Sequence, residues 1–399
     1  MKKILALLLV VILAMSLIAC GGGNEQNSAD DAGDTTENNG DTIKIGVWEP
    51  MTGSMAGQGE MRLMGIELAN EQRPTCLGQT VELIYADNKS DTVEAANAMQ
   101  RLVDRGDIVG ILGTMGSSLA IAGLDISEKA EIPVLAGASN PLVTQDRKWV
   151  SRTSLSDPFG GNVMAKFAAE DLGIKTVVIV QNIGEDYSIG LTSFFTEAFC
   201  KYTGQTEEEA ILGVVSTNTG DTDFTAQLNT IKSLNPDAIY FPGYYSEAAL
   251  FCIQMDQLGI DIPFLGSDGL EAPDLVTVGG ASVEGIYISS QFSMENDSPK
   301  TVQFVEDFYE KFGENPTFTA AVGYNNYNAM LDAIEAAGDP NDNYAIEEYL
   351  RNLTDWESVT GTINVDPETG EAYLPCPILQ VTDGAFKLVK YVDVSDLPD

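Results

Sequence analysis

The sequence predicts an α/β protein with two lobes, each built on a doubly wound parallel sheet. Two patterns in the 399 residues carry this prediction. From residue 43, short β-rich segments that are apolar on both faces alternate with amphipathic segments, and after Arg152 the same alternation starts again. Strands that are apolar on both faces are typical of parallel sheets covered by helices. Two such series in a chain of this length indicate two lobes.

Each predicted element follows from its hydrophobic pattern and from the turn residues that bound it. In the first series we expect strands at 43–47, 80–86, 108–112 and 133–135, and helices at 59–70, 91–105 and 118–130. In the second we expect strands at 176–181, 211–216, 238–241 and 264–266, and helices at 189–202, 223–234 and 246–258. A strand at 285–290 and helices at 299–312, 319–337 and 346–352 follow. The chain closes with a predicted hairpin that pairs 361–365 with 377–381 around the turn-forming residues 366–370.

The first 42 residues predict an export signal and a tether. Lys2 and Lys3 precede an apolar stretch at 4–13 that is too short for a lasting membrane span, and Leu17-Ile18-Ala19-Cys20 ends it. These last four residues resemble the bacterial lipobox, which implies that Cys20 is acylated and becomes the mature N-terminus. The alternative is an ordinary secretory signal at 1–20 in which the cysteine has no role. Residues 21–42 are almost free of apolar side chains, so we expect a disordered acidic tether with a reach of roughly 25 Å.

The charge balance excludes several classes of function. The chain has 21 Lys and Arg, 60 Asp and Glu and no histidine, a net charge of −39. So acidic a chain lacks the basic surface that binds nucleic-acid phosphates. Without histidine it cannot form a Ser-His-Asp or Cys-His unit or an H-E-x-x-H zinc site. Removing Lys2, Lys3 and the six acids of the tether leaves 19 bases and 54 acids, so the folded part carries −35 and should stay in solution beside the membrane.

Four cysteines follow Cys20 in the chain: Cys76, Cys200, Cys252 and Cys376. Export permits disulfides, and four cysteines allow three complete pairings. We expect no Cys200–Cys252 bond, because right-handed crossovers in a 2-1-3-4 sheet place the first and third helices of the second series on opposite faces. None of the cysteines forms a C-x-x-C pair, and we expect no metal site and no cofactor.

Five short motifs carry a resemblance to a known family: Ile45-Gly46-Val47, Met51-Thr52-Gly53, Gly113 to Ser118, Gly243-Tyr244-Tyr245 and Gly361 to Asp366. In this order they resemble the branched-chain amino-acid type of periplasmic binding protein, the solute-binding component of an ABC importer, over essentially all of residues 43–399. The resemblance implies a type I periplasmic-binding fold, in which two lobes joined by three crossovers grip a ligand between them.

The resemblance also implies where the lobes are divided. It places the three crossovers near Thr153, Ser289 and Val359. Lobe 1 is then expected at 43–153 plus 289–358, and lobe 2 at 154–288 plus 359–399.

Serines follow two neighbouring strands of lobe 1, at the edge where open parallel sheets bind ligands. Ser117 and Ser118 open a helix, and the free amides of a helix N-terminus favour an anion such as a carboxylate; the alternative is plain N-capping. Gly137 to Ser139 follow the next strand, where Pro141 alone could explain the start of a helix. The resemblance implies that Ser117 and Ser139 bind the α-carboxylate of an amino acid, while the Gly137 carbonyl and the Ser139 hydroxyl face its ammonium.

Lobe 2 is expected to supply a counter-charge and an aromatic cover. Asp268 follows a strand, and an Asp-Gly pair by itself is an ordinary turn. The resemblance implies that Asp268 binds the ammonium of the ligand, where relatives usually carry a glutamate. It also implies that Tyr187 and Tyr244 cover the ligand; the alternative for these tyrosines is packing at the rim.

The wall around the side chain of the ligand is assigned by position. Six residues are expected near it: Trp48, Glu49, Gln58, Met115, Gly116 and Tyr324. Trp48 and Met115 suit an apolar side chain. Gln58 stands where relatives often carry an aromatic residue, so Gln58 and Glu49 depart from the pattern of an aliphatic pocket.

The functional prediction is a monomeric, lipid-anchored protein on the outer face of the bacterial cell membrane. It is expected to capture an amino acid, branched-chain or otherwise apolar, and to deliver it to the permease subunits of an ABC importer. Two alternatives use the same cleft: a sensor that presents its ligand to a receptor, and a binder of amides, urea or aromatic acids. An enzyme is not expected. The glycines at 110, 113 and 116 are not followed by the Gly-Lys-Ser/Thr sequence that ends a P-loop, and no candidate nucleophile has a convincing base.

Overall fold

The structure, a computed structural model, describes residues 42–393 together with Ser395 and Leu397. The predicted signal at 1–20, its Cys20, and the tether up to residue 41 lie outside this part of the chain. Within the described part, no helix combines the length and the hydrophobicity needed to cross a bilayer.

The first lobe is built on a sheet to which the described chain contributes six strands. Its elements are β1 (Ile43–Glu49), α1 (Ala56–Gln72), β2 (Thr75–Cys76), β3 (Gln79–Asp87), α2 (Thr92–Val103), β4 (Gly110–Gly113), α3 (Ser117–Lys129), β5 (Val134–Ala136) and β6 (Val150–Arg152). The strand order is β2-β3-β1-β4-β5-β6, and only the pairing of β2 with β3 is antiparallel among these strands. The order reverses between β1 and β4, which opens a crevice at the carboxyl ends of the strands.

The second lobe repeats the architecture. Its first elements are α4 (Asp157–Lys166), β7 (Val177–Asn182), α5 (Asp186–Thr203), α6 (Glu207–Ala210), β8 (Ile211–Thr217), α7 (Thr225–Leu234), β9 (Ala238–Phe241), α8 (Tyr245–Gln257), β10 (Phe264–Gly266), α9 (Pro273–Gly279) and β11 (Tyr287–Ser289). These strands are parallel, in the order β11-β10-β9-β7-β8. Alternate side chains of β7 enter different cores, Val177 and Ile179 on one face and Val178 and Val180 on the other.

The chain then returns to the first lobe through α10 (Pro299–Phe312), α11 (Phe318–Ala337), which packs along α1, and α12 (Asn343–Arg351). A small antiparallel sheet follows, formed by β12 (Trp356–Ser358), β13 (Gly361–Val365) and β14 (Ala372–Tyr373). Finally, β15 (Cys376–Thr382) and β16 (Ala385–Val392) extend the second sheet beyond β11 in the antiparallel sense.

The fold class and the two series of elements are confirmed, with boundaries shifted by no more than three residues. The predicted partner of 361–365 is wrong. The turn at 366–370 does close a hairpin, but β13 pairs with the short β14, whereas β15 pairs with β11 and β16. The physical reason lies in β15 itself: Ile378 and Leu379 are consecutive apolar residues that fill cores on opposite faces, which suits an inner strand of a large sheet. The assignment of lobe boundaries to individual residues stays a prediction.

The four cysteines of the described chain are free thiols in the structure. Cys200, on α5, packs against one core of the second lobe, and Cys252, on α8, lies in the core on the other face of the sheet. This placement agrees with the crossover argument that separated the two side chains.

Candidate functional site

The first wall of the candidate site is the N-terminus of α3. Gly116 takes φ +82° there, a conformation that favours glycine, and Ser117 begins the helix with only 1% of its surface exposed. The Ser117 hydroxyl accepts a hydrogen bond from the Asn140 backbone N–H at 3.3 Å. The first backbone amides of a helix have no carbonyl partner within the helix, so this end of α3 can receive an anion.

The loop after β5 forms the adjoining wall and is backed by a buried ion pair. Arg62 Nε lies 2.5 Å from Glu49 Oε1, and both side chains are fully buried. Glu49 also accepts a hydrogen bond from the Met115 backbone N–H at 2.9 Å. A Cβ atom on Gly137 would lie 2.6 Å from the guanidinium carbon of Arg62, so a side chain there would have to displace the Arg62 guanidinium. The pair therefore supports both loops of the wall from behind.

The second lobe contributes Asp268, Tyr187 and Tyr244. The Tyr187 hydroxyl donates to Asp268 Oδ1 at 2.5 Å and accepts from the Gly269 backbone N–H at 3.0 Å. The Gln291 amide donates to the other carboxyl oxygen of Asp268. The two tyrosine rings are stacked with centroids 5.2 Å apart, and the buried Tyr244 hydroxyl has no hydrogen-bond partner.

These walls face each other across a small space between the lobes, which we call the cleft cavity. Its lining residues are Met115, Gly116, Ser117, Gly137, Ala138, Ser139 and Phe318 from the first lobe, and Tyr187, Tyr244, Asp268 and Gly269 from the second. The structure thus brings together eight of the thirteen residues that the sequence places at the ligand site. One end of the cavity has helix amides and hydroxyls, the other has a carboxylate, and Met115 and Phe318 are apolar.

Two of the expected wall residues lie away from the cleft cavity, which corrects their assignment. The Trp48 indole donates to the Ala95 carbonyl oxygen at 3.1 Å and packs against α3, because the alternation along β1 turns it toward the helices. Tyr324 packs on Phe304 with ring centroids 4.9 Å apart, and its hydroxyl donates to Gln72 at 2.6 Å, in a separate surface groove.

The remaining expected residues act between the lobes or behind the wall. Gln58 is fully buried, and its amide donates to the Gly269 carbonyl oxygen at 3.1 Å, so it joins the lobes beside the cleft cavity. The Ser118 hydroxyl donates to the Asp186 carboxylate at 3.1 Å and accepts from the Asp186 backbone N–H at 2.9 Å. Glu49 faces Arg62 rather than the cavity. We therefore describe these three as supports of the closed cleft.

A second small cavity lies beside Asp268, and we call it the inner cavity. It is lined by Asp157, Asp268, Ser289 and Gln291 together with Leu155, Ser156, Gly160, Leu191, Ser267 and Ser290. Asp157 stands in the first turn of α4 and was missed in the sequence. A helix-start signal was available there, because Ser156 at the N-cap is followed by an acid and by Pro158 in the first turn.

A family model described as periplasmic binding protein matches residues 42–385. The chain belongs to this family. It is 26% identical to a Leu/Ile/Val-binding protein homolog 2 of Brucella abortus, covering 84% of this chain and 88% of that one. It is 29% identical to the leucine-, isoleucine-, valine-, threonine- and alanine-binding protein of Pseudomonas aeruginosa, over 82% of this chain and 86% of that one.

Solved structures agree with this membership. The leucine-binding protein LivK of Thermotoga maritima superposes with a TM-score of 0.85 at 39% identity, over 89% of this chain and all of that one. LivJ of Streptococcus pneumoniae, a branched-chain amino acid transporter substrate-binding protein solved with isoleucine, gives a TM-score of 0.80 at 28% identity, over 88% and 99%. This periplasmic binding protein therefore has the type I fold, and its role is solute binding.

Asp268 and Asp157, the two acids that line the inner cavity of this periplasmic binding protein, sit in unlike hydrogen-bond environments. Burial raises the pKa of Asp268, and the hydrogen bonds from Tyr187 and Gln291 oppose the rise. Burial raises the pKa of Asp157 well above its usual range, the nearby charge of Asp268 adds to the rise, and a hydrogen bond from the Ser139 hydroxyl opposes it.

Within the described chain, no group of three acidic or thiol side chains is arranged to hold a metal ion.

Proposed function

We propose that this protein captures an α-amino acid with an apolar side chain, branched-chain above all, in the cleft cavity and delivers it to an ABC importer. One observation carries the proposal: the N-terminus of α3 and the carboxylate of Asp268 face one cavity from opposite lobes. The similarity to proteins named for binding leucine, isoleucine and valine supports the same class of ligand.

Each part of an amino acid finds a complementary group there. The α-carboxylate is expected at the amides of α3 with Ser117 and Ser139, where the helix dipole favours negative charge. The ammonium is expected at Asp268, whose two oxygens already accept neutral donors from Tyr187 and Gln291. Met115, Ala138 and Phe318 are left to enclose the side chain, which favours an apolar one.

A thermal-shift screen tests the proposal. The protein is unfolded and refolded to remove co-purified ligand and then heated with each of the twenty amino acids, short amides, urea and benzoate. A ligand at 100 times its Kd adds about 2.7 kcal/mol to the free energy of unfolding. We expect the largest shifts with leucine, isoleucine and valine. Stabilisation by benzoate or an amide, with none by any amino acid, would overturn the assignment.

The alternative of an aromatic acid has weaker support. A solute-binding protein of Rhodopseudomonas palustris solved with benzoate has a TM-score of 0.80, but at 20% identity this likeness shows the fold alone. Benzoate also has no ammonium to pair with Asp268, so its binding would leave that carboxylate beside a second anion. A sensor role would use the same amino-acid site, and capture of a receptor instead of a permease would distinguish it.

We further propose that Cys20 carries a lipid that holds the monomer to the outer face of the membrane. The lipobox-like Leu17-Ile18-Ala19-Cys20 and the acidic tether at 21–42 support this proposal. Cys20→Ser should give unprocessed or shed protein in a membrane fractionation. Equal membrane retention of the variant after a salt wash would contradict the anchor.

A further inference from the structure

The inner cavity brings a second carboxyl group close to the site of the proposed ammonium. Asp157 and Asp268 both line it, and Asp268 also lines the cleft cavity, so the two cavities meet at this residue. Asp157 is only 3% exposed, and its Oδ2 has no hydrogen-bond partner. The hydroxyl of Ser289, which lines the same cavity, is also buried and without a partner.

Asp157 lacks a cation of its own among the described residues. The charge of Arg152 acts on Asp157 and opposes the rise of its pKa, but no hydrogen bond or ion pair joins the two. The Arg152 guanidinium donates instead to the Ala138 and Asn140 carbonyl oxygens at 3.0 and 2.8 Å and pairs with Glu371 at 2.9 Å. The other titratable groups that act on Asp157 or on Asp268 are acids or neutral at physiological pH: Glu271, Glu371, Tyr187, Tyr240, Tyr244 and Cys376. No lysine or arginine lines either cavity in the described chain.

The charges of the closed complex therefore do not balance at Asp157. An amino acid brings one ammonium, which neutralises Asp268, and its carboxylate is already assigned to the amides of α3. Asp157 would remain as an unpaired buried anion, and a buried carboxylate without a partner takes up a proton in preference to staying charged. Ser139 of the first lobe covers Asp157, because its carbonyl oxygen accepts from the Asp157 backbone N–H at 3.0 Å and its hydroxyl donates to the carboxyl. Parting of the lobes would withdraw this cover, so that water could reach the carboxyl and stabilise its charged form.

We propose that closure of the cleft on an amino acid protonates Asp157, so that capture of the ligand takes up one proton. This inference rests on the proposed function. The proton comes from solvent and forms the O–H bond at the unpartnered carboxyl oxygen, and the ammonium of the ligand keeps all of its own protons.

Proton uptake fixes the sign of the pH dependence. Because Asp157 binds its proton more tightly in the closed complex than in the open protein, affinity rises as pH falls. The gain reaches at most tenfold per pH unit between the two pKa values of Asp157, the lower in the open state and the higher in the closed state. Burial raises the pKa of Asp157 well above its usual range, so the window extends upward from about pH 4.

Titration calorimetry with L-leucine at pH 6, in two buffers of different ionisation enthalpy, measures the proton count. We expect the wild type to take up protons when it binds leucine and to bind more weakly at pH 8. Asp157→Asn imitates the protonated group, so it should take up no proton and bind leucine more tightly than the wild type at pH 8.

Glu271→Gln is the matched control, because burial raises the pKa of Glu271 to about 7 and this carboxyl accepts from the Phe318 backbone N–H at 2.9 Å near the cleft. It should keep the proton uptake. Wild-type binding without proton uptake, or uptake lost in Glu271→Gln and kept in Asp157→Asn, would overturn the inference while leaving the proposed function intact. Failure of the wild type to bind any amino acid would contradict the proposed function and the inference with it.

Discussion

At the scale of single residues, Asp268 determines whether an ammonium belongs in the cleft. Asp268→Ala should weaken leucine binding by at least about 30-fold, since an ammonium left without its counter-charge costs roughly 2 to 5 kcal/mol. Calorimetry on ligand-stripped protein measures the change. Wild-type affinity in the variant would remove the basis for an α-amino acid.

Tyr187→Phe is the companion variant, and the structure changes what it should do. The sequence predicts a small effect, because the apolar cover is kept. In the structure the hydroxyl donates to Asp268 and accepts from the Gly269 backbone N–H. Losing both bonds should weaken binding about tenfold, less than Asp268→Ala.

The buried pair of Arg62 and Glu49 explains how the first wall keeps its shape. Arg62→Met leaves Glu49 as a buried, unpaired acid and should lower the free energy of unfolding by about 3 kcal/mol, measured by urea denaturation. The double variant Glu49→Gln and Arg62→Met is the control, because it removes both charges and keeps an acceptor for the Met115 N–H. It should recover most of the loss. A single variant as stable as the wild type would show that the pair is not needed.

The sequence can predict which residues lie at the site when this depends on their position along a strand or loop. It cannot do so when this depends on the direction of the side chain. Ser117, Ser139 and Asp268 each follow a parallel strand at the carboxyl edge, and the family resemblance then implies their roles at the ligand. Trp48 was misplaced, because one residue along β1 changes which face a side chain joins. Asp157 was missed because its role depends on a cavity formed by segments far apart in the sequence.

At the scale of elements, the closed cleft is held by contacts between helix ends and loops of opposite lobes. Ser118 meets Asp186 at the start of α5, the Asn140 amide donates to the Asp186 carbonyl oxygen at 2.8 Å, and the Tyr245 hydroxyl, at the start of α8, accepts from Gly57 at 3.1 Å. Such contacts would break if the lobes moved apart, so we expect them to add to the closing equilibrium that the ligand drives.

Gln58 on α1 offers a test of that closing equilibrium. Gln58→Met keeps the volume of the side chain and removes the donor to the Gly269 carbonyl oxygen, so leucine should dissociate faster and bind roughly three- to tenfold more weakly. Gln58→Glu is the contrasting variant, since a carboxylate facing carbonyl oxygens should weaken binding further. Stopped-flow dissociation rates equal to the wild type in both variants would show that this contact does not assist closure.

The placement of the helices in the second lobe also determines whether Cys200 and Cys252 can form a disulfide. Because Cys200 and Cys252 lie on opposite faces of the sheet, a non-reducing peptide map should show no link between them. A linked pair would contradict the strand order. The opposite faces of these two helices could be predicted, because right-handed crossovers in a 2-1-3-4 sheet require them. The partner of β13 could not be predicted, since a turn sequence specifies a hairpin but not the length of its second strand.

At the scale of the whole molecule, the two lobes divide the recognition of one small ligand. The first lobe presents helix amides and hydroxyls to an anion, the second presents Asp268 to a cation, and apolar residues lie between them. A solute that carries both charges bridges the lobes, while a solute with only one leaves a wall without its partner. The repeated α/β pattern predicts two lobes, and the family resemblance implies that each lobe contributes one side of the binding site.

The most direct test is a calorimetric comparison of L-leucine with 4-methylpentanoate, which is leucine without its ammonium, on ligand-stripped wild-type protein and on Asp268→Ala. We predict that the wild type binds leucine at least about 30-fold more tightly than 4-methylpentanoate. Asp268→Ala should lose most of this preference. Equal affinity of the wild type for the two compounds would contradict the account, because Asp268 would then have no ammonium to recognise.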